Sequence, residues 1–566
     1  MKSFRPTVAL FVLLILGLCY TKSSQAQGEN KPELTLKQRL EYSGVAVREE
    51  GWHIWGSSPV IGPDGDVHLF VARWPVSAKF DPGWRTHSQI AHYVSSGPEG
   101  PFRFSDVALA GTESETWDRY GIHNPAIHKV GNKYVLLYIG NTGLKEHPAN
   151  QRIGMALSDS PYGPWKKVGR DGMILAPPAD SGYYNHKAGN GVVNPAFLEH
   201  PDGRFFLYFK SNDTRQNQRW HSRMGLAIAE KLEGPYVQLP DPTTSNDQTI
   251  EDGYAFVMDK KVYLLTTDNH GILNRGGGLL WESEDGVRFQ NQPAPGFGLL
   301  SDYIPAEARS KSKTHYGVGG KFERPQVLTI GGEPAHLYLA SGTNIEGGSG
   351  TISYVLRVKP GDEIEGKIRV ACLGDSITFG ARARNPETDS YPAQLARMLD
   401  DEYVVNNYGI GGATLIKEGK PNIWQNVAKA IHFQPHIVII MLGTNDTVSW
   451  NYKHIDDFSD NATELISLFR RLATKPTVFF CSPTDMILEV QGLTQQRIEN
   501  LKGRKPRLHK LIPVIKNIAE QNNIEFLDMN SLFRGKPHLL TDGVHPNNDG
   551  YRLLAEEFYK ALIHVE

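Results

Sequence analysis

A pattern that recurs five times between residues 58 and 339 restricts the possible folds of this chain more than any other feature. Each copy joins a polar residue and a proline to an apolar pair, a turn and an alternating aromatic strand, and the fourth copy lacks the proline. Such a period indicates one structural unit that occurs several times and packs against its neighbours. The copies begin at Ser58-Pro59, Asn124-Pro125, Asn194-Pro195, Glu251-Asp252 and Arg324-Pro325.

The spacing of the copies predicts the blades of a β-propeller. The first proline lies 66 residues before the second (59 to 125), and the second lies 70 residues before the third (125 to 195). This length suffices for a four-stranded sheet with long loops. An apolar strand with a glycine turn, such as Gly100-Pro101-Phe102, follows each of the first four copies. A β-sandwich would also have short strands but would not repeat both motifs, so we expect an all-β, five-bladed propeller.

The sequence changes character after residue 360. A polar stretch with proline and glycine at 359–367 separates the repeats from a region in which apolar strands alternate with helical runs. This alternation predicts a parallel sheet with helices on both faces and a site beyond the carboxyl ends of its strands. Because 566 residues exceed what one core holds, we divide the chain into a signal peptide at 1–26, a propeller at 27–360 and an α/β domain at 361–566.

Four short motifs lie at strand ends of the predicted α/β domain. A serine hydroxyl becomes a nucleophile when an imidazole takes its proton and a carboxylate orients the imidazole. Ser376, His545 and Asp542 supply these groups. Singly, each residue has an ordinary explanation as a turn or helix cap, but their common order favours a catalytic triad. We expect Asp375 and Asp446 to hold turns. The motifs are Gly374-Asp375-Ser376-Ile377-Thr378, Asn407-Tyr408-Gly409-Ile410-Gly411-Gly412-Ala413-Thr414, Gly443-Thr444-Asn445-Asp446 and Asp542-Gly543-Val544-His545-Pro546.

Together the four motifs resemble those of the SGNH, or GDSL-like, hydrolases, a superfamily of esterases and lipases with a flavodoxin-like sheet. The resemblance spans about residues 368–566 and implies ester hydrolysis through a Ser376 acyl-enzyme without a metal. It also implies an oxyanion hole made of the backbone N–H groups of Ser376 and Gly412 and the side-chain amide of Asn445. A tight turn at Gly412 and a helix cap at Asn445 are the ordinary alternatives.

The repeats resemble the five-bladed propellers of glycoside hydrolase family 43 over about residues 42–359. In that family three carboxylates near the axis serve as base, pKa modulator and acid. Here Ser58 and Asn124 stand at the first two positions, and only the third, Glu251 with Asp252, keeps carboxyl groups. The resemblance implies an axial sugar site, leaves its catalysis open, and allows a structural calcium for which no ligand cluster is clear. Strand-end turns explain each candidate equally well when it is taken singly. The candidates are His123, Asn124, Asn194, Glu251, Asp252, His270, Glu323 and Arg324.

The N-terminus has the pattern of a cleavable secretory signal. Two basic residues precede an apolar run at 8–18, and the small residues Ser24 and Ala26 mark a cleavage site. The run is too short to span a bilayer as an uncleaved anchor. Lipidation of Cys19 is an alternative, although the small residue expected before a lipoprotein cysteine is missing. We therefore expect a periplasmic or secreted protein.

The net charge limits the possible partners, and the positions of the cysteines bear on disulfide formation. The chain has 60 Lys and Arg against 62 Asp and Glu, a net charge of −2, so no basic excess exists to hold a nucleic acid. Cys372 and Cys481 lie in apolar runs and predict buried free thiols rather than a disulfide. No membrane contact is expected beyond the signal peptide, and the oligomeric state stays open.

These features predict a hydrolase of polysaccharide breakdown whose partner is a polysaccharide or oligosaccharide. We expect the α/β domain to act as a serine esterase, an O-acetyl esterase, on a decorated glycan, and the propeller to be a glycosidase acting on the same glycan. In one alternative the propeller only binds glycan. In another, the SGNH domain is a lipase or thioesterase.

Overall fold

The structure is a computed structural model that describes residues 35–141, 151–215, 221–258, 260–289, 292–303, 321–341, 350–359 and 366–563. The predicted signal peptide, with Cys19, lies outside these residues. Within the described ranges, no helix is both long enough and apolar enough to cross a membrane.

Five antiparallel sheets form the predicted five-bladed propeller. The first strands of neighbouring sheets contact one another in an unbroken circle. Short helices Leu36–Arg39, Gly83–Thr86 and Leu300–Tyr303 accompany the sheets. The strands of blade one are Trp52–Ile61, Val67–Pro75, Gln89–Ser95 and Arg103–Leu109. Blade two consists of Ile122–Val130, Lys133–Gly140, Arg152–Ser158, Lys166–Lys167 and Met173–Leu175, and blade three of Val193–Glu199, Phe205–Asn212, Ser222–Ala229 and Val237–Gln238. Blade four consists of Glu251–Met258, Lys261–Thr267, Gly278–Ser283 and Ala294–Phe297, and blade five of Phe322–Ile330, Glu333–Ser341, Ile352–Val358 and Leu40–Val47.

Blade five is completed by the strand nearest the N-terminus. Leu40–Val47 pairs antiparallel with Ile352–Val358, and Leu40 lies opposite Val358. The strand therefore joins the two ends of the repeat region by backbone hydrogen bonds. This closure leaves the propeller only short sheet edges.

Each innermost strand has a β-bulge at the same place, and one bulge residue has a left-handed φ. In blade one the bulge lies between Trp55 and Ser58, so the counterpart of Asn124 is Gly56 and not Ser58. The sequence-based alignment of this copy is wrong by two residues (58 against 56), because its Ser-Pro pair resembles the Asn-Pro pairs of the other blades. The five bulge residues are Gly56, Asn124, Asn194, Asp252 and Arg324, with φ of 60°, 48°, 55°, 58° and 56°.

The α/β domain has the predicted parallel sheet. Its second strand lies at one edge beside the first, and the third, fourth and fifth follow on the other side. Alternate residues of each strand enter the two hydrophobic cores, one on either face of the sheet. The strands are Ile368–Gly374, Tyr403–Asn407, Ile437–Met441, Thr477–Cys481 and Glu525–Leu527. The helices are Ser376–Phe379, Pro386–Asp389, Tyr391–Met398, Trp424–His432, Ser449–Tyr452, Phe458–Arg470, Gln495–Gln521, Met529–Phe533 and Asn548–Leu562.

The two predicted free thiols occupy the interior of this sheet. Cys372 and Cys481 are both free and buried, as the sequence predicts. Burial raises the pKa of the Cys372 thiol to about 12, and it also raises that of Cys481. Both side chains therefore stay protonated and act as small apolar core residues.

The propeller and the α/β domain share an interface. A turn of blade one packs against the start of helix Trp424–His432, since a Cβ on Gly65 would lie 2.0 Å from the Trp424 carbonyl oxygen. Lys417 Nζ lies 3.2 Å from Ser96 Oγ of blade one and 3.0 Å from Glu464 Oε1 of its own domain. The two domains therefore meet through both close backbone packing and charged groups.

Candidate active site

Ser376 begins a short helix directly beyond the carboxyl end of the first parallel strand. Asp375 caps this helix by accepting a hydrogen bond from the Ile377 N–H at 2.8 Å. Gly374 is required here, because a Cβ at this position would lie 1.9 Å from Thr378 Oγ1. Burial raises the pKa of the Asp375 carboxyl. The local sequence thus fixes the serine just beyond the carboxyl end of the first parallel strand, and Asp375 holds the turn.

The structure brings the three predicted triad residues together. Ser376 Oγ lies 2.9 Å from His545 Nε2, and His545 Nδ1 lies 2.8 Å from Asp542 Oδ2. Ser376 is 8% exposed, and the His545 side chain is 20% exposed. An imidazole held between a hydroxyl and a carboxylate in this way can accept the hydroxyl proton.

Asp542 binds His545 through both of its oxygens. While Oδ2 faces the ring, Oδ1 accepts hydrogen bonds from the N–H groups of His545 at 2.9 Å and Val544 at 3.1 Å. Burial alone would raise the pKa of the Asp542 carboxyl, but the His545 hydrogen bonds and the charges of His545 and Arg497 hold it well below its usual range. The ionised carboxylate favours a proton on Nδ1, which leaves Nε2 free to accept one from the serine.

The predicted oxyanion residues lie at the ends of neighbouring strands. Gly412 is exposed and has a φ of 80°. In the described part of the chain, neither its N–H nor that of Ser376 has a backbone acceptor. The Asn445 amide donates one hydrogen to the Ala413 carbonyl at 3.0 Å, and its second hydrogen has no acceptor among the described residues. Fixed donors of this kind stabilise the negative oxygen of a tetrahedral intermediate.

Asp446 stabilises the loop that carries Gly412. Its Oδ1 accepts hydrogen bonds from the N–H groups of Leu415 at 3.1 Å and Ile416 at 3.0 Å, in keeping with its expected role in holding a turn. Burial raises the pKa of the Asp446 carboxyl to about 7. These contacts tie the second motif of the domain to the third.

Four predicted sugar-site residues form a closed ring of hydrogen bonds near the propeller axis. Asn124 Nδ2 donates to Asn194 Oδ1 at 2.6 Å, and Asn194 Nδ2 donates to Asp252 Oδ1 at 2.8 Å. Asp252 Oδ2 accepts from the Arg324 N–H at 2.9 Å, and Arg324 Nη2 donates to the Asn124 carbonyl at 3.0 Å. The fully buried Arg324 side chain passes beside Gly56, where a Cβ would lie 3.0 Å from its Cγ. At this level the axis is filled by protein groups.

Two carboxyl groups flank this ring, each one residue before a bulge. Glu251 pairs with Lys210 at 3.1 Å, and Glu323 pairs with Lys321. Burial, reinforced by the charges of Glu251 and Asp252, raises the pKa of Glu323 to about 7 despite Lys321. Burial also acts to raise the pKa of Glu251, but the two lysines outweigh it and lower that pKa. At neutral pH Glu251 is therefore ionised, whereas Glu323 exchanges between its protonated and ionised forms.

The two predicted histidines have different surroundings. His123 is buried, with Nδ1 2.9 Å from Ser88 Oγ and its ring 5.3 Å from that of Trp74 and 5.4 Å from that of Trp84. Burial lowers the pKa of His123 to about 3, so its ring is neutral. His270 lies exposed on a loop and makes no side-chain hydrogen bond within the described residues. It is not brought to the ring by this structure.

Several charged residues near both sites were not identified from the sequence. Lys210 and Lys321 flank the ring, and Arg497 and Arg504 support the triad region. The one available signal was Lys210, which directly follows the apolar run 205–209 near the end of strand Phe205–Asn212. No group of three or more His, Cys, Asp and Glu side chains suited to a metal occurs in the ranges described.

A family model matches the C-terminal region. Residues 372–553 match the GDSL-like Lipase/Acylhydrolase family. These residues contain all four motifs and, except for the start of the first strand, the parallel sheet that positions them. The C-terminal part of the chain is therefore a GDSL-type acylhydrolase domain.

Two curated relatives are esterases. The Acetylxylan esterase of Xylanibacter ruminicola is 27% identical over 218 residues, which make up 35% of this chain and 44% of the relative. The Multidomain esterase of Ruminococcus flavefaciens is 22% identical over 269 residues, 41% of this chain and 33% of the relative. This chain thus spans less than half the length of each.

Solved structures resemble each half of the chain. A family 117 glycoside hydrolase of the marine bacterium Zobellia galactanivorans covers 56% of this chain and 89% of its own, at 16% identity and a TM-score of 0.41. A carbohydrate acetylesterase family member from Sinorhizobium meliloti covers 34% of this chain and 97% of its own, at 21% identity and a TM-score of 0.30.

Proposed function

We propose that the GDSL-type domain removes acetyl groups from a glycan by serine catalysis. The observation that carries this proposal is the hydrogen-bonded series from Ser376 through His545 to Asp542. The similarity to an acetylxylan esterase supports acetyl as the acyl group and a polysaccharide as the alcohol.

In the first half of the reaction His545 Nε2 takes the Ser376 proton as Oγ attacks the acetyl carbonyl carbon. The carbonyl oxygen becomes an oxyanion that the Ser376 and Gly412 N–H groups and the Asn445 amide stabilise. The C–O bond to the sugar then breaks, and the sugar oxygen takes the proton from His545. Asp542 stays ionised and stabilises the imidazolium throughout. The products of this half are the free sugar hydroxyl and an acetyl-serine.

In the second half a water molecule attacks the acetyl-serine while His545 takes one of its protons. The second tetrahedral intermediate collapses, Ser376 Oγ recovers the proton, and acetate leaves. This chain supplies every proton transfer from its own side chains.

Replacing the nucleophile tests this proposal. Ser376→Ala should abolish acetate release from acetylated xylan and from p-nitrophenyl acetate. Ser531→Ala, a change at an exposed serine in another helix, should leave both rates unchanged. Retained esterase activity in Ser376→Ala would refute the nucleophile, and a strong preference for long acyl chains would favour the lipase alternative.

A second activity in the propeller is supported by its two flanking carboxyls. Glycoside hydrolysis needs one protonated carboxyl as acid and one ionised carboxylate as base or nucleophile. The pKa of Glu323 is raised to about 7 and that of Glu251 is lowered, which matches these two states. We assign Glu323 as the proton donor and Glu251 as the base or nucleophile of a glycosidase that acts on the same glycan.

The propeller proposal is tested separately from the esterase. Glu251→Gln should remove sugar release from aryl glycosides and oligosaccharides while acetate release continues. If the parent protein cleaves no glycoside in a broad panel, the propeller is a glycan-binding module instead.

We also propose that residues 1–26 direct secretion and are removed. N-terminal sequencing of the exported protein should begin at Gln27. A mature protein that starts at Met1 or at a lipidated Cys19 would contradict this.

A further inference from the structure

A cleft of about 760 Å³ lies between blade one of the propeller and helix Phe458–Arg470 of the GDSL-type domain. Its volume falls within the roughly 300–1,000 Å³ of small-molecule sites, which often lie at domain interfaces. Its lining includes neither the triad nor any residue of the axial ring. It is therefore a place for a ligand that neither proposed active site uses.

Two exposed aromatic side chains line this cleft. Phe104 is 47% exposed and Tyr162 is 50% exposed. The ring of Tyr162 packs edge-on against those of His68 at 5.1 Å and His92 at 5.3 Å, and the guanidinium of Arg73 lies 4.1 Å from the Phe104 ring centre. Protein contacts hold each ring on one side while half of it remains open to solvent. Such preordered rings offer a ligand a large contact area at a small entropic cost.

The polar lining combines hydrogen-bond donors and acceptors with no net charge. Five serine and threonine hydroxyls accompany the charged groups. Lys417 is paired with Glu464 at 2.9 Å, whereas the guanidinium groups of Arg103 and Arg471 make no ion pair within the described residues. Three cations therefore balance three carboxylates, namely Arg103, Lys417 and Arg471 against Asp66, Asp460 and Glu464.

This combination selects one class of ligand. An apolar ligand would cover these charged groups and remove their water without giving them partners, which is unfavourable. A highly anionic ligand would meet three carboxylates, and a cationic one would meet three basic groups. Sugar hydroxyls both donate and accept hydrogen bonds, and sugar rings have apolar faces that pack on aromatic rings. We propose that the cleft is a secondary binding site for an uncharged oligosaccharide, which holds the glycan at the junction of the two domains.

Hydrogen–deuterium exchange with unacetylated xylohexaose tests the location, since this probe has no ester to hydrolyse and the Glu251→Gln variant, used as the background, cannot cleave it by the proposed glycosidase reaction. Bound sugar should slow exchange in residues 103–105 and 460–471. Slowed exchange confined to other segments, or none at saturating sugar, would overturn the proposal. Hexagalacturonate is the acidic comparison, and tighter binding of that probe would overturn the assignment to an uncharged ligand.

Calorimetry with variants tests the residues. Phe104→Ala and Arg471→Gln should each weaken xylohexaose binding at the cleft by roughly five- to ten-fold, because truncation of anchor side chains commonly has such an effect. Arg471 lies at an exposed helix end, so its replacement leaves the fold intact. Met173→Ala, which truncates a 40% exposed side chain of blade two outside the cleft, should change nothing. Unchanged affinity in both cleft variants would refute the site.

The outcome is independent of the proposed enzymatic activities. Hydrolysis of p-nitrophenyl acetate should be unaffected by Phe104→Ala and Arg471→Gln, because neither residue contacts the triad. Loss of esterase activity in Ser376→Ala, in turn, should not alter exchange at the cleft. The two proposals can therefore fail separately.

Discussion

Replacing Asp542 by asparagine should abolish the proposed esterase activity, because His545 would then adopt the wrong tautomer. In the native protein Oδ1 accepts two backbone N–H groups and Oδ2 faces His545 Nδ1 at 2.8 Å. The asparagine oxygen must keep the backbone position, since an amide N–H₂ cannot accept those donors. Its N–H₂ then faces Nδ1 and donates to it, which moves the ring proton to Nε2. Nε2 now donates to Ser376 Oγ and can no longer take its proton.

The expected loss of kcat follows from this change of tautomer, because Nε2 donates a hydrogen bond where it should accept a proton. The corresponding change in serine proteases lowers kcat by about 10⁴, or about 5.4 kcal/mol of barrier at 1.36 kcal/mol per factor of ten. Steady-state hydrolysis of p-nitrophenyl acetate at neutral pH measures this loss as kcat/KM. Asp549→Asn, at an exposed carboxylate of the following helix, is the matched control and should be unaffected. A kcat/KM for Asp542→Asn within ten-fold of the parent would refute the assigned tautomer.

Four further outcomes follow from the structure. Asn445→Ala should lower kcat by about 10²–10³ with little change in KM, because an oxyanion donor acts in the transition state, and steady-state kinetics checks this. Arg324→Met should lower the free energy of unfolding by about 3–5 kcal/mol in urea titrations, since it removes one partner of a buried charged ring. Because the proton donor must be protonated, glycosidase activity should fall as the pH rises through about 7, the pKa of Glu323. The lowered pKa of Asp542 means that its ionised form stabilises the fold above the ordinary carboxyl range. The stability difference between the parent and Asp542→Asn, followed by thermal unfolding, should therefore shrink as the solution becomes strongly acidic.

The GDSL-type domain was predictable because its motifs are local. Asp542 and His545 lie in one turn, and Ser376 directly follows a buried strand, so short stretches of sequence determine their environment. Helix boundaries were harder to predict. The sequence pattern predicts a helix at 508–521, whereas helix Gln495–Gln521 begins earlier and contains Pro506 and Pro513. Prolines usually mark helix ends, and here packing overrides that preference.

The propeller was predictable as a repeat but not in its central contacts. Repetition gives the blade number, whereas the bulge register of blade one depends on backbone pairing that Ser58 obscured. The ring that Arg324 closes joins blades two and five, which are distant in sequence. Nor could the pairing of Lys210 with Glu251 be read locally, because a lysine at a strand end usually faces solvent. Such contacts require the three-dimensional arrangement of the blades.

The strand Leu40–Val47 gives the propeller a particular order of assembly. Blade five needs this segment and residues 322–358 at the same time, so a ribosome must synthesise nearly the whole repeat region before the circle can close. Until then strand Leu40–Val47 has an unpaired edge, and strands with unpaired edges can associate with the wrong partner. A shortened version for expression that starts at residue 48 would leave blade five permanently one strand short. The GDSL-type domain, whose parallel sheet is complete within residues 368–527, carries no such dependence on the beginning of the chain.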